Sequence, residues 1–153
     1  EEEAIIWRGP MIHNAINQFL QMTAWGDLDY LVVDLPPGPS DGPLTVMQAL
    51  PLDGFVVVTT PQSLAALDAK RSISMIKKLN VQVLGVVENM AGDIFGWGGG
   101  EALAKDVETK FLGSIALSQS FREPDRPVVL LDPEVRKEFE KVLDGMSLAV
   151  ATP

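Results

Sequence analysis

Three short apolar runs, each ending abruptly on a polar residue, constrain this chain more than any other feature. Tyr30-Leu31-Val32-Val33 stops at Asp34 and is followed by Pro36-Pro37-Gly38. Gly54-Phe55-Val56-Val57-Val58-Thr59 stops at Thr60-Pro61, and Val81-Gln82-Val83-Leu84-Gly85-Val86-Val87 stops at Glu88-Asn89. Branched and aromatic side chains suit a pleated surface, whereas the prolines behind them cannot extend a hydrogen-bonded ladder. Because the runs are apolar at successive positions, they predict strands buried on both faces, the habit of a parallel sheet.

Helical periodicity fills the intervals. Pro10 suits a first helical turn, and Ile12, Ile16, Phe19 and Leu20 recur at helical spacing until Thr23. Pro61 opens a second such stretch, with Leu64, Leu67, Ile73, Ile76 and Leu79 on one face and Lys70, Arg71, Lys77 and Lys78 on another. Further along, residues 101–109 read as a helix, 111–116 as a strand, and 133–146 as an amphipathic closing helix with Val135, Phe139, Val142 and Leu143 inward. Residues 96–100 and 122–127 read as loops. Alternating strands and helices imply right-handed crossovers, hence an α/β fold with a doubly wound, mostly parallel sheet flanked by helices. At 153 residues the chain suits a single domain or part of one.

In such a sheet a ligand sits beyond the carboxyl ends of the strands, so the residues after each run are the candidates for chemistry. Asp34 ends its strand as the acid of a Walker B segment does, able to bind Mg²⁺ directly or through water, while Gly38 offers a backbone N–H to a terminal phosphate. A turn-capping role before two prolines is the other reading of Asp34. Asp41 serves either that loop or the N-cap of a helix starting near Pro43. Asn89 carries the donor and acceptor needed to read a purine edge, or else is a turn residue. Gly98-Gly99-Gly100 before a helix is either an anion cradle or a hinge. His13, the sole histidine, has no catalytic partner at recognisable spacing and reads as structural.

Charge and composition narrow the partners. Acidic residues outnumber basic ones 21 to 12, for a net charge of -9, which opposes extended contact with nucleic acid. Part of that charge is the terminal Glu1-Glu2-Glu3, read as a solvated tail. There is no cysteine, so these residues supply no disulfide and no thiolate ligand. No apolar stretch approaches the ~20 residues needed to cross a bilayer, and the expectation is a soluble cytoplasmic protein without membrane contact.

Taken in order, Trp7-Arg8-Gly9-Pro10-Met11, residues 28–38, Pro51-Leu52-Asp53-Gly54, Thr59-Thr60-Pro61-Gln62, Gly85-Val86-Val87-Glu88-Asn89-Met90, Ile94-Phe95-Gly96 and Pro127-Val128-Val129 resemble the Mrp/ApbC family of nucleotide-binding proteins. The resemblance implies a MinD-like, deviant-Walker ATPase that binds ATP and Mg²⁺, works as a homodimer, and carries iron–sulfur clusters to apoproteins. It implies Asp34 as the Walker B and metal-side acid, Gly38 and Asp41 in the switch loop, and Asn89 and Met90 beside adenine. The backbone of Leu117 and Ser118 would complete the base pocket.

Four departures qualify the resemblance. The family's Walker A loop precedes the matched region and is not among these residues, so this sequence alone is expected not to hydrolyse ATP. Ala91-Gly92-Asp93-Ile94 stands where the family carries Cys-x-x-Cys. The loop at 118–127 is a few residues short, and Pro39-Ser40 replaces the usual Thr-Gly of the switch loop. A chain forming the C-terminal portion of a P-loop-type domain accounts for the first. The rival expectation is a non-catalytic scaffold, or a MinD-like regulator using the same fold for protein contacts.

Overall fold

The computed structural model describes residues 9–36, 38, 40–122 and 125–146. The chain divides into two compact units, 1–52 with 150–153, and 53–149. The acidic tail, Trp7, Arg8, Pro37, Pro39 and part of the 122–127 loop fall outside the described residues.

In the first unit, helix α1 (Gly9–Met22) packs against helix α2 (Asp41–Ala49). Thr45 and Val46 are buried there, and His13 Nδ1 lies 3.3 Å from Thr45 Oγ1, so the single histidine is a helix-to-helix contact. Phe19, one of the apolar residues at helical spacing in α1, is 70% exposed. The expected strand at 30–33 does not form: the segment is irregular and Val32 is 89% exposed. A parallel strand exists only through its ladder, and no strand among the described residues pairs with this one.

In the second unit, strands β1 (Phe55–Thr59), β2 (Val83–Ala91) and β3 (Phe111–Ala116) form a parallel sheet in the order β1-β2-β3. The crossovers run through helix α3 (Ser63–Lys78) and helix α4 (Gly99–Asp106), and helix α5 (Pro133–Met146) packs against β3. Ile73 and Ile76 of α3 are buried as the periodicity predicts, and Lys77 and Lys78 sit in its last turn, where they complement the helix dipole. Val87, Leu112, Ile115 and Val142 form one core cluster, with Met146 packed on it. No helix among the described residues is long and apolar enough to cross a membrane.

Two local features aim the site. β2 does not stop before Glu88 but continues to Ala91, so Glu88, Asn89 and Met90 are strand residues rather than loop residues. β3 carries an extra residue where its pairing with Val86 and Val87 slips, with Gly113 at φ +148°, a backbone conformation glycine adopts without strain. The slip brings Ser114 opposite Glu88, and it turns Leu112 and Ile115 together toward Val142.

Candidate functional site

At the carboxyl edge of the second unit the three strand ends are tied to one another. The backbone N–H of Leu117 donates to Ala91 O at 2.8 Å, fastening the chain that leaves β3 to the end of β2. Ala116 N–H donates to Glu138 Oε2 of α5 at 3.0 Å. Ser118 Oγ accepts the Ser120 N–H at 3.1 Å, and Ser120 Oγ is 2.6 Å from Asp132 Oδ2. Asp132 also accepts the N–H groups of Glu134 and Val135 at the start of α5, a side-chain cap. The Ser120 bond first, then the Val135 and Glu134 N–H bonds, hold the Asp132 carboxyl below the usual carboxylate range.

Asn89 and Met90 lie directly beside this segment, because Ala91 pairs with Ala116. Asn89 Oδ1 accepts the N–H of Met90 at 2.9 Å, and Met90 sits at φ +57°, so the strand turns sharply as it ends. Four of the seven sequence-predicted site residues, Asn89, Met90, Leu117 and Ser118, therefore meet at one edge. On the β1 side, Thr59 is buried and Thr60 Oγ1 bonds Gln62 Oε1 at 3.2 Å.

The other three belong to the first unit. Asp34 is exposed and makes no hydrogen bond or ion pair among the described residues. Gly38 adopts φ +77° with open space where a Cβ would stand. Asp41 is the first residue of α2, so the cap position falls on Ser40, at φ -142° and ψ 174°. No group of three or more potential metal ligands occurs among the described residues. Outside the edge, the groove between α3 and α4, about 450 Å³ and crossed by the Lys70–Asp106 ion pair at 2.6 Å, is lined mainly by apolar atoms.

Sequence reasoning assigned no role to Glu88, yet it is the most deeply placed charged residue of the edge, at 0% exposure. Its Oε1 accepts Gly98 N–H at 3.0 Å and lies 3.3 Å from Ser114 Oγ; its Oε2 accepts Gly100 N–H at 2.7 Å. The glycine run is thus neither an empty cradle nor a free hinge: the chain's own carboxylate fills it. The legible signal was a carboxylate directly behind Val86-Val87, with a glycine-rich helix start ten residues later.

A parallel sheet flanked by helices, with polar strand ends gathered at its carboxyl edge, is an α/β architecture that P-loop NTPases share with other open-sheet proteins. The cell-division ATPase MinD of Pyrococcus furiosus shares the fold, with a TM-score of 0.69 at 21% identity over 94% of this chain and 62% of that one. A nucleotide-binding protein of Archaeoglobus fulgidus, solved in complex with ADP, matches with a TM-score of 0.68 and 34% identity over 93% of this chain and 60% of that one.

The ParA family model, described as the NUBPL iron-transfer P-loop NTPase, matches residues 1–147, and the chain belongs to that family. Among its relatives, an iron-sulfur cluster carrier protein of Methanocaldococcus jannaschii is 45% identical over 94% of this chain and 54% of its own length. An Escherichia coli protein of the same name is 47% identical over 99% of this chain and 44% of its own length. The resemblance to Mrp/ApbC proteins is borne out, and the chain spans about half the length of the curated relatives it matches.

Proposed function

We propose that this chain is the Mg²⁺-side and adenine-side portion of one P-loop NTPase-like domain in an ATP-binding carrier that delivers iron–sulfur clusters to apoproteins. Family membership and the shared name of the relatives support the carrier role. The observation that carries the nucleotide role is the convergence of Asn89, Met90, Leu117 and Ser118, fastened by the Leu117-to-Ala91 hydrogen bond. In this reading Asn89 reads the adenine edge, while Met90 and the backbone of Leu117 and Ser118 wall the base.

Asp34 is the metal-side acid, with Gly38 in the switch loop and Asp41 where that loop enters α2. Mg²⁺ needs only one or two protein carboxylates beside phosphate oxygens and water, so a single exposed, unengaged aspartate suits it. Bound there, the ion would neutralise phosphate charge. The cluster is cargo, and because these 153 residues contain no cysteine its thiolate ligands come from outside them. The carrier acts in the cytoplasm as a homodimer, and nucleotide state alters how the two copies meet.

Calorimetric titration of the intact protein with Mg-ATP and Mg-GTP tests the reading. Saturable binding with preference for the adenine nucleotide is expected. No binding at millimolar nucleotide would overturn it.

A further inference from the structure

Glu88 stands where three strand ends cross. Its backbone pairs with Thr59 of β1 on one side and Ser114 of β3 on the other. Its side chain reaches toward α4, while the preceding Val87 packs with Val142 of α5, so successive β2 residues serve opposite faces of the sheet. The start of α4 is equally confined. A Cβ on Gly99 would lie 2.3 Å from Pro61 O, and one on Gly100 would lie 2.7 Å from Glu88 Cβ.

Among the described residues no ion pair includes Glu88, and the partners its carboxylate has there are hydrogen-bond donors. Two are backbone N–H groups at the α4 start, where the helix dipole also favours negative charge. An apolar side chain would fill the space at lower desolvation cost but would leave the Gly98 and Gly100 N–H groups unpaired. The carboxylate therefore serves geometry: it fixes the end of the 92–98 loop against the residue next to Asn89.

We infer that Glu88 is a positioning residue for the base side of the site, holding the glycine run and the 92–98 loop in register with Asn89 and Met90. The inference rests on the adenine-side reading above for its consequence, though its geometry stands alone. Loosening Glu88 frees the loop and, through the β2 end they share, the backbone that carries Asn89, whose side chain is folded onto the Met90 N–H. The loop's condition and the choice of base are thus coupled through one carboxylate.

The test compares the intact protein with its Glu88→Gln variant by residue-resolved amide exchange and by the ratio of ADP to GDP affinity. The variant keeps the shape of the side chain but turns an amide N–H₂ toward one of the two backbone donors. Gly98 and Gly100 amides are expected to exchange about tenfold faster or more, from loss of a charge-assisted bond, while Val57 and Val142 amides stay unchanged. The ADP-to-GDP affinity ratio is expected to fall.

Unchanged exchange at Gly98 and Gly100 would overturn the inference, as would uniform acceleration throughout the unit or an unaltered base preference with a loosened loop. Should Glu88→Gln not fold, Glu88→Asp keeps the charge but is one methylene shorter, and is expected to deprotect one of the two glycine amides. If the unsubstituted protein binds neither nucleotide, the functional reading fails, and the exchange result alone decides the role of Glu88.

Discussion

Replacing Gly99 by alanine separates a packing role for the glycine run from a hinge role, because the two predict opposite signs. Gly99 is the first residue of α4, and in a helix alanine is favoured over glycine by up to about 1 kcal/mol. A hinge glycine would therefore be replaced with a gain in stability. Here, however, the new Cβ would stand 2.3 Å from Pro61 O, with Pro61 C and Cα at 2.8 Å. These are backbone atoms, so no side-chain rotation relieves the contact, and either α4 or the turn after β1 must move.

Overpacking costs about 1–3 kcal/mol, and a clash with backbone atoms lies in the upper part of that range, about 2–3 kcal/mol, so the propensity gain of about 1 kcal/mol leaves a net loss of about 1–2 kcal/mol. For a unit of this size each kcal/mol lowers the melting temperature by about 4–8 °C. Urea unfolding of Gly99→Ala beside the unsubstituted protein measures the difference directly. An unchanged or raised midpoint would refute the close-packing argument and restore the hinge.

Other outcomes follow from the same contacts. Val142→Ala removes two buried carbons from the cluster with Val87, Leu112 and Ile115, and is expected to cost about 2 kcal/mol in chemical denaturation. Asp132→Asn should lower the melting temperature at neutral pH. The folded Asp132 carboxyl titrates below its unfolded value, so its contribution is complete above the ordinary aspartate range and is lost as pH falls through the lowered value. The gap between variant and parent should therefore narrow in acid, and a gap constant with pH would exclude the cap as its source. Asp34→Asn should weaken Mg²⁺-dependent nucleotide effects in the intact protein while leaving its melting curve nearly unchanged; undiminished ATPase activity would remove Asp34 from the metal side. Asn89→Ala should reduce discrimination among bases more than phosphate affinity, measured as ATP-to-GTP affinity ratios, and equal losses would argue against purine-edge contact.

What the sequence made legible was local periodicity. β3 and α5 have the bounds their patterns predict, because a short apolar run and helical spacing are both written in consecutive residues. The end of β2 was misplaced by four residues, since a charged residue ordinarily marks a strand's exit. Glu88 remains inside because Gly98, Gly100 and Ser114 provide its hydrogen bonds, and two of those partners lie ten and twelve residues away. The segment 30–33 shows the opposite failure. Its apolar character is plain, but a strand needs a neighbour, and pairing is a property of distant chain that periodicity does not record. Asn89 was anticipated through the rule that ligands lie beyond the carboxyl ends of parallel strands, whereas Met90, Leu117 and Ser118 entered through the family resemblance. The supports behind them, Glu138 of α5 on Ala116 and Asp132, the residue that caps α5, on Ser120, had no local sign.

Backbone and Asn side-chain amide resonances followed during titration of the intact protein with Mg-ADP test the account most directly. The Met90, Leu117 and Ser118 amides and the Asn89 side-chain amide should shift together, along one saturating curve. Saturation by Mg-ADP that leaves all four unmoved, or shifts only signals remote from the carboxyl edge, would contradict it.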